Sequence, residues 1–395
     1  MSSAVSALQP ELWTSSSNEV LKIFITDGTG AINFSPEFTY PIFGDAETIY
    51  GYKDLVIFLC FDHYTFYPFL NIKYSEKLDD PEIGDLKEKI SEFLPLTTVF
   101  KDEEKWVDSI EDEKKQYQIP GDLVQEFTKD GEDFSIYKLN LSDVAGLELH
   151  KRLQILVLLF IEAGSYIDAG DKLWEVYVLY KKSAKEPSIV GFTTVYNYWR
   201  YGGAEKFDLD VQQVRKKISQ FIIMPPHQGK GLGGTFYKQL SEQWDKDASV
   251  TEIVIEDPNE SFDDLRDRVD LKRLNEQIDI SAISTASSPE WLNTTRTALK
   301  LEKRQFSRLV EMILLYKLKH KQDESARAVR LHIKRRLYEK NKDGLSGLDE
   351  NTKKDKLQTA YIALEEDYYR ILGDIKLNTK RKTEEGSTGV KKKKI

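Results

Sequence analysis

Four glycines, two prolines and one lysine fall within Met224 to Gly234 (MPPHQGKGLGG), after an apolar run, FIIM, and before a segment of helical character, GTFYKQLSEQWDKD. Such residues can hold a phosphate. Glycines let successive backbone N–H groups turn toward one concavity, and a helix start adds partial positive charge. Lys230 adds a point charge at the rim. The same composition also suits a plain surface turn, so the spacing has to discriminate. Gly229, Gly231 and Gly234 spell G-x-G-x-x-G, but Pro-Pro-His-Gln separates them from the strand, where a dinucleotide fold needs a tight turn. No G-x-x-x-x-G-K-[ST] passes through the stretch, which excludes a P-loop. Gln228, Gly231 and Gly233 fit Q-x-x-G-x-G better.

A second group of reactive types follows in VTEIVIEDPNESFDDLRDR. The alternation predicts a strand ending at Glu256-Asp257, with Pro258 turning the chain. Neighbouring strands of a strand–loop–helix–strand unit end on one side, which predicts Glu256 beside the glycine loop. Taken alone, a Glu-Asp pair at a strand end is a solvated turn.

The elements that must position these groups fall into zones. Residues 1–130 alternate short β-type runs with acidic turns; LVIFLCFDHYTFYPFLNIKYS reads as two strands, and EKLDDPEIGDLKEKISEFL as an acidic loop entering a helix. Residues 131–268 hold HKRLQILVLLFIEAGSYI, read as a helix running into a turn, and the strands WEVYVLYKK, SIVGFTTVYNYW, KKISQFIIM and VTEIVIED. Residues 269–380 are helical and strongly charged, and 381–395 form a basic tail expected to be disordered. The fold class expected is α+β: a mixed α/β N-terminal domain, a central domain with the glycine loop, and a helical C-terminal domain.

Composition narrows the chemistry. The single cysteine, Cys60, excludes a disulfide framework and multi-cysteine zinc sites, and the five scattered histidines show no metal-ligand spacing, so no metal is expected. The apolar run Leu153 to Ile161 is broken by Gln154 and too short to span a bilayer, and the N-terminus lacks the blocks of a secretory signal, so a soluble intracellular protein without membrane contact is expected. Net charge is −9; the last sixteen residues carry seven Lys/Arg against two Glu, net +5, leaving −14 elsewhere. An acidic body disfavours nucleic acid and favours a basic partner. Ordinary solubility accounts for the same charge.

The Q-x-x-G-x-G loop between strand and helix resembles the coenzyme A loop of GCN5-related N-acetyltransferases. FIIMPPHQGKGLGG followed by IVIEDPNESFDDLRD, together with FGDAETIYGY, FIEAGSYID, TVYNYW and IKRRL, is similar to the catalytic subunits of type B histone acetyltransferases. The helical zone resembles that family less closely. The resemblance implies a GCN5-related N-acetyltransferase fold and direct transfer of acetyl from acetyl-CoA to a tail lysine of free, newly made histone four. It implies Glu256 as general base with Asp257 and Glu162 as companions. Cofactor contacts would come from Phe221, Ile222 and Ile223, from Gln228, Gly229, Lys230, Gly231, Leu232, Gly233 and Gly234, and from Asn259 and Arg268. The histone tail would meet Asp45, Glu47, Trp174, Tyr196, Asn197 and Tyr198. A WD-repeat histone chaperone is the implied partner, and nucleus and cytoplasm the implied locations. From residues alone, Glu162 reads as a helix cap and the alternate aromatics as cross-strand pairs. The alternative is a histone-binding chaperone on a non-catalytic transferase fold, and a dinucleotide-dependent enzyme is a remoter third.

Overall fold

In the first part of the chain, apolar residues recur at every second position and form strands. β1 (Leu21–Thr26) pairs antiparallel with β2 (Ala31–Phe34). A short helix, α1 (Tyr40–Phe43), precedes β3 (Val56–Asp62), which runs parallel to β1 and antiparallel to β4 (Pro68–Lys73). Ile57, Leu59 and Phe61 all point from β3 into the core. Helix α2 (Leu86–Ser91) follows the acidic loop and is capped by Asp85, whose carboxylate accepts from the Lys87 amide at 2.7 Å. β5 (Val99–Phe100) completes this sheet, ordered β2-β1-β3-β4-β5, and α3 (Glu103–Lys114) follows. The computed structural model describes residues 10–81, 83–322, 324–373 and 375–378, so the basic tail 381–395 lies outside the described residues.

Five strands of a second sheet pair antiparallel. β6 (Asp122–Lys129) turns at Asp130-Gly131 into β7 (Glu132–Lys138). Both turn residues have positive φ, 51° and 82°, as a two-residue hairpin with right-handed twist requires. The apolar run read as one helix forms two consecutive pieces, α4 (Val144–Leu153) and α5 (Ile155–Phe160), joined at Gln154. Each residue from Ile155 to Leu159 is buried, so α5 needs no polar face. β8 (Trp174–Lys181), β9 (Ser188–Trp199) and β10 (Val214–Ile223) extend the order to β6-β7-β8-β9-β10. The register shifts where Thr194 faces Gln220 and Val195 faces Ile218, a bulge just before Phe221.

Helix α6 (Leu232–Lys246) follows the glycine loop, and contacts divide the chain within it, into units 1–243 and 244–395. One continuous apolar core in the first unit runs from Leu21 to Met224 and takes in both zones expected on either side of residue 130. The second unit contains β11 (Val250–Ile255) and helices α7 (Glu260–Gln277), α8 (Pro289–Ala298), α9 (Lys303–Lys319), α10 (Ala326–Ser346) and α11 (Glu350–Leu372). Its core is built on Leu309, Ile313, Val329, Ile333, Tyr368 and Ile371. The charged residues of α7 do not all face water. Asp267 is buried and paired with Arg308 at 2.5 Å, and Gln305 donates to Asp267 and Asp270 at 2.9 and 3.1 Å. Such partners are what make buried charge tolerable. Among the described residues no helix is long and apolar enough to cross a membrane, and no group of His, Cys, Asp and Glu could hold a metal.

Candidate active site

β10 stops at Ile223, and Pro225-Pro226-His227 form a single 3-10 turn. Proline offers no ladder donor, which is why the strand cannot continue. Gln228 closes this excursion: its side-chain Nε2 donates to the Ile223 carbonyl oxygen at 2.6 Å. Gly229 and Gly231 then adopt φ of 74° and 69°, a left-handed backbone that glycine takes without cost. The Gly231 carbonyl accepts from the Thr235 amide at 3.2 Å, so the helix starts at Leu232, two residues before the segment GTFYKQLSEQWDKD expected to be helical. Gly233 and Gly234 therefore lie in its first turn, where amides have no acceptor inside the helix. The glycine loop thus runs directly into these first-turn donors. Phe221 packs on Phe236, ring centroids 5.2 Å apart, while Ile222, Ile223 and Leu232 are buried.

Glu162 lies just beyond the end of α5, in an exposed turn. Two hydrogen bonds fasten this turn. The Ala163 amide donates to the Tyr40 hydroxyl at 2.5 Å, and the Gln220 Nε2 donates to the Ser165 carbonyl at 2.7 Å. Gly164 is obligatory, because a Cβ there would sit 2.6 Å from the Val157 carbonyl oxygen. The turn bearing Glu162 is therefore tied to the strand residue that precedes Phe221. Sequence reading missed Tyr40 and Gln220. A glutamine at a buried position of an apolar strand was the available signal, since a buried amide needs a partner.

In the second unit, Glu256 and Asp257 form a bend between β11 and α7, Glu256 half-buried and Asp257 exposed. Asp257 has φ of 33°, an unusual backbone for a residue with a side chain. Asn259 caps α7, its side-chain oxygen accepting from the Phe262 amide at 2.9 Å. Arg268 is exposed on the same helix.

The six residues expected at the histone tail do not share one environment. Trp174 stands opposite Tyr196 across β8 and β9; their ring centroids are 4.9 Å apart, and Tyr196 and Tyr198 are 4.8 Å apart, all edge-to-face. This ladder of rings lies on one face of the sheet. Asn197, by strand parity, points to the other face. There its side chain is engaged twice, donating to the Leu173 carbonyl at 3.1 Å and accepting from Lys216 at 2.8 Å. Lys216 also pairs with the largely buried Glu175 at 2.6 Å. Burial would raise the Glu175 pKa, but Lys216 and Lys138 outweigh it and hold the carboxyl at about 2. The Tyr196 hydroxyl donates to Asp171 at 3.0 Å, beside a polar cavity of about 370 Å³ that Asp122, Lys138, Asp171, Trp174 and Glu175 help to line.

Asp45 is exposed, whereas Glu47 is committed internally. Its carboxylate accepts from the Thr39 and Tyr40 amides at 2.6 and 3.1 Å and from Asn18 at 2.9 Å. The Thr39 amide is the chief reason that its pKa lies below the usual range. Glu47 therefore serves the N-terminus of α1. Cys60 sits half-buried on β3, and burial pushes its thiol up to about 12, which suits a packing residue and not a nucleophile.

Residues 13–162 match the family described as "Histone acetyl transferase HAT1 N-terminus", and residues 267–319 match "Fungal HAT1, C-terminal". A histone acetyltransferase type B catalytic subunit from Candida albicans is 64% identical, over 100% of this chain and 98% of its own length. The chain belongs to that family. Counterparts from Debaryomyces hansenii and Kluyveromyces lactis are 61% and 46% identical, over 94% and 98% of this chain and 92% and 98% of theirs. It is thus a histone acetyltransferase, and the α+β class expected from the sequence stands, with its strand–glycine loop–helix unit and helical C-terminal part. The helical zone, which carried least of the resemblance, is matched by the fungal family over 267–319. Among solved structures, an aminoglycoside acetyltransferase from an uncultured soil metagenomic sample is 16% identical with a TM-score of 0.24, over 35% of this chain and 85% of that one. A ribosomal-protein-alanine N-acetyltransferase from Brucella melitensis gives 16% and 0.22, over 33% and 85%.

Proposed function

We propose that this histone acetyltransferase transfers acetyl from acetyl-CoA to a lysine in the N-terminal tail of free histone four, by direct attack within a ternary complex. The observation that carries the acetyl-CoA reading is the loop: Gln228 fixing its base, left-handed Gly229 and Gly231, and a helix that starts on Leu232, Gly233 and Gly234. Converging amides at a helix start suit a diphosphate. Backbone groups of Phe221 to Ile223 would run beside the pantetheine arm, with Asn259 and Arg268 as further contacts.

A lysine ammonium, pKa about 10.4, has no lone pair with which to attack a thioester. In this reading Glu256 takes that proton, directly or through water, and Asp257 and Glu162 add negative charge that draws the cationic side chain. The amine nitrogen bonds to the thioester carbon, the carbon–sulfur bond breaks, and coenzyme A leaves as a thiolate that gains a proton. A backbone amide of the β10 segment would stabilise the oxyanion. Trp174, Tyr196 and Tyr198 offer rings to the aliphatic and cationic parts of a basic tail, and Asp45 an open carboxylate.

Radiolabelled acetyl transfer to a histone-four tail peptide, against tail peptides of the other core histones, tests substrate choice. Glu256→Gln should lower kcat roughly 100- to 10,000-fold while leaving cofactor affinity intact. Full activity in that variant would remove Glu256 from the role. Family membership also supports a WD-repeat histone chaperone as partner and residence in nucleus and cytoplasm; co-purification and cell fractionation test both.

A further inference from the structure

The β6–β7 hairpin lies along α6. At the far end of the helix, Gln243 donates to the Val124 carbonyl of β6 at 3.4 Å and contacts the Gln125 side chain. At the near end, the hairpin tip delivers Lys129 to the glycine loop: a Cβ placed on Gly231 would lie 3.8 Å from both the Cε and the Nζ of Lys129. The hairpin register sets where Lys129 stands. Lys129 is the last residue of β6, opposite Glu132, and the Asp130-Gly131 turn fixes where the strand ends.

Lys129 is ion-paired with Asp130 at 2.7 Å, yet only a fifth of its side chain is exposed against three quarters of its partner's. An exposed pair of this kind holds a lysine only weakly. What holds Lys129 beside Gly231 is the packing of the hairpin on the helix. Two more cations border the same spot. Lys181, paired with Glu132 at 2.5 Å, and Lys230 both lower the pKa of His227, whose own burial lowers it most. The loop therefore carries three lysines against two carboxylates, with His227 biased toward its neutral form.

We propose that Lys129 is a phosphate-binding residue of the coenzyme site, its ammonium exchanging Asp130 for a phosphate oxygen of the coenzyme when the loop is loaded. This rests on the reading that the loop holds acetyl-CoA. Phosphate oxygens compete well for such a cation, because a charge-assisted bond to a dianionic group is stronger than an exposed carboxylate pair. The diphosphate and the 3′-phosphate of coenzyme A are both candidates for the contact.

The test is calorimetry on the full chain with coenzyme A and with 3′-dephospho-coenzyme A. Lys129→Ala should weaken coenzyme A about ten-fold, Lys129→Arg should recover most of the loss, and Lys151→Ala, an exposed residue of α4, should change nothing. If Lys129→Ala no longer matters with the dephospho compound, the contact is to the 3′-phosphate; an equal loss with both assigns it to the diphosphate. Asp130→Asn, which keeps a residue tolerant of the left-handed turn, frees Lys129 and should tighten binding about two- to three-fold. If both the Lys129 and Asp130 variants weaken binding alike, the pair is merely structural and the proposal fails. It fails equally if Lys129→Ala binds coenzyme A as the parent does. A parent chain that binds neither compound would instead overturn the reading of the loop itself, and the role of Lys129 with it.

Discussion

The side-chain amide of Gln228 reaches back over Pro225-Pro226-His227 to donate to the carbonyl oxygen of Ile223 at 2.6 Å. One hydrogen bond thereby joins the end of a core strand to the start of a glycine loop. It explains why the motif begins with a glutamine five residues after the last strand residue, and it makes the loop amides a preformed cradle.

Removing that bond should loosen the cradle without touching the chemistry. Gln228→Ala is expected to raise the Kd for acetyl-CoA about five-fold, the worth of one part-buried hydrogen bond, with kcat nearly unchanged. Gln228→Glu, which cannot donate when ionised, should behave at least as badly. Isothermal titration beside steady-state kinetics would show it. Equal affinity in all three proteins would mean the loop keeps its shape unaided.

Gly229 and Gly231 have room for a methyl group but the wrong backbone for one. Alanine at either should cost about 1–2 kcal/mol through strain at positive φ, seen as a lower denaturation midpoint. Gly231→Asp should also repel phosphate and weaken acetyl-CoA beyond the alanine variant. If Gly231→Asp and Gly231→Ala bind alike, the phosphates lie elsewhere.

Strand parity separates the residues of VYNYW by role. Tyr198→Ala, on the face with the exposed ring ladder, should raise KM for a histone tail peptide with little loss of stability. Asn197→Ala removes two internal hydrogen bonds and should lower stability by about 1–2 kcal/mol with a smaller effect on KM. Thermal melts paired with peptide kinetics separate the two. The reverse pattern would put the tail on the Asn197 face.

His150 is buried on α4, neither ring nitrogen has a hydrogen-bond partner, and burial holds its pKa at about 4. The unfolded chain takes up a proton near the ordinary 6.5 of histidine, whereas the folded chain does so only near 4. The stability due to neutral His150 is therefore complete above pH 6.5 and lost as pH falls toward 4, by on the order of 2–3 kcal/mol. Urea unfolding across that range should show the decline, and His150→Leu should flatten it. Parallel curves for the two proteins would assign the decline to other groups.

By itself the sequence determined what short-range physics controls. Proline ends β10, glycines permit the left-handed loop, alternating β-branched and aromatic residues make the strands, and apolar stripes make α9 to α11. Its long motifs also named the family. Only the tertiary structure decided what long-range packing controls. The helix absorbs Gly233 and Gly234 because Gly231 can cap it. Glu47, an acid expected to face a basic tail, turns inward because the Thr39 and Tyr40 amides at the start of α1 and the Asn18 side chain reach it first. Lys129, about one hundred residues before the loop, arrives there because its hairpin packs along α6. No local pattern encodes these outcomes, since each depends on which surfaces bury one another and on which donors and acceptors that burial leaves facing.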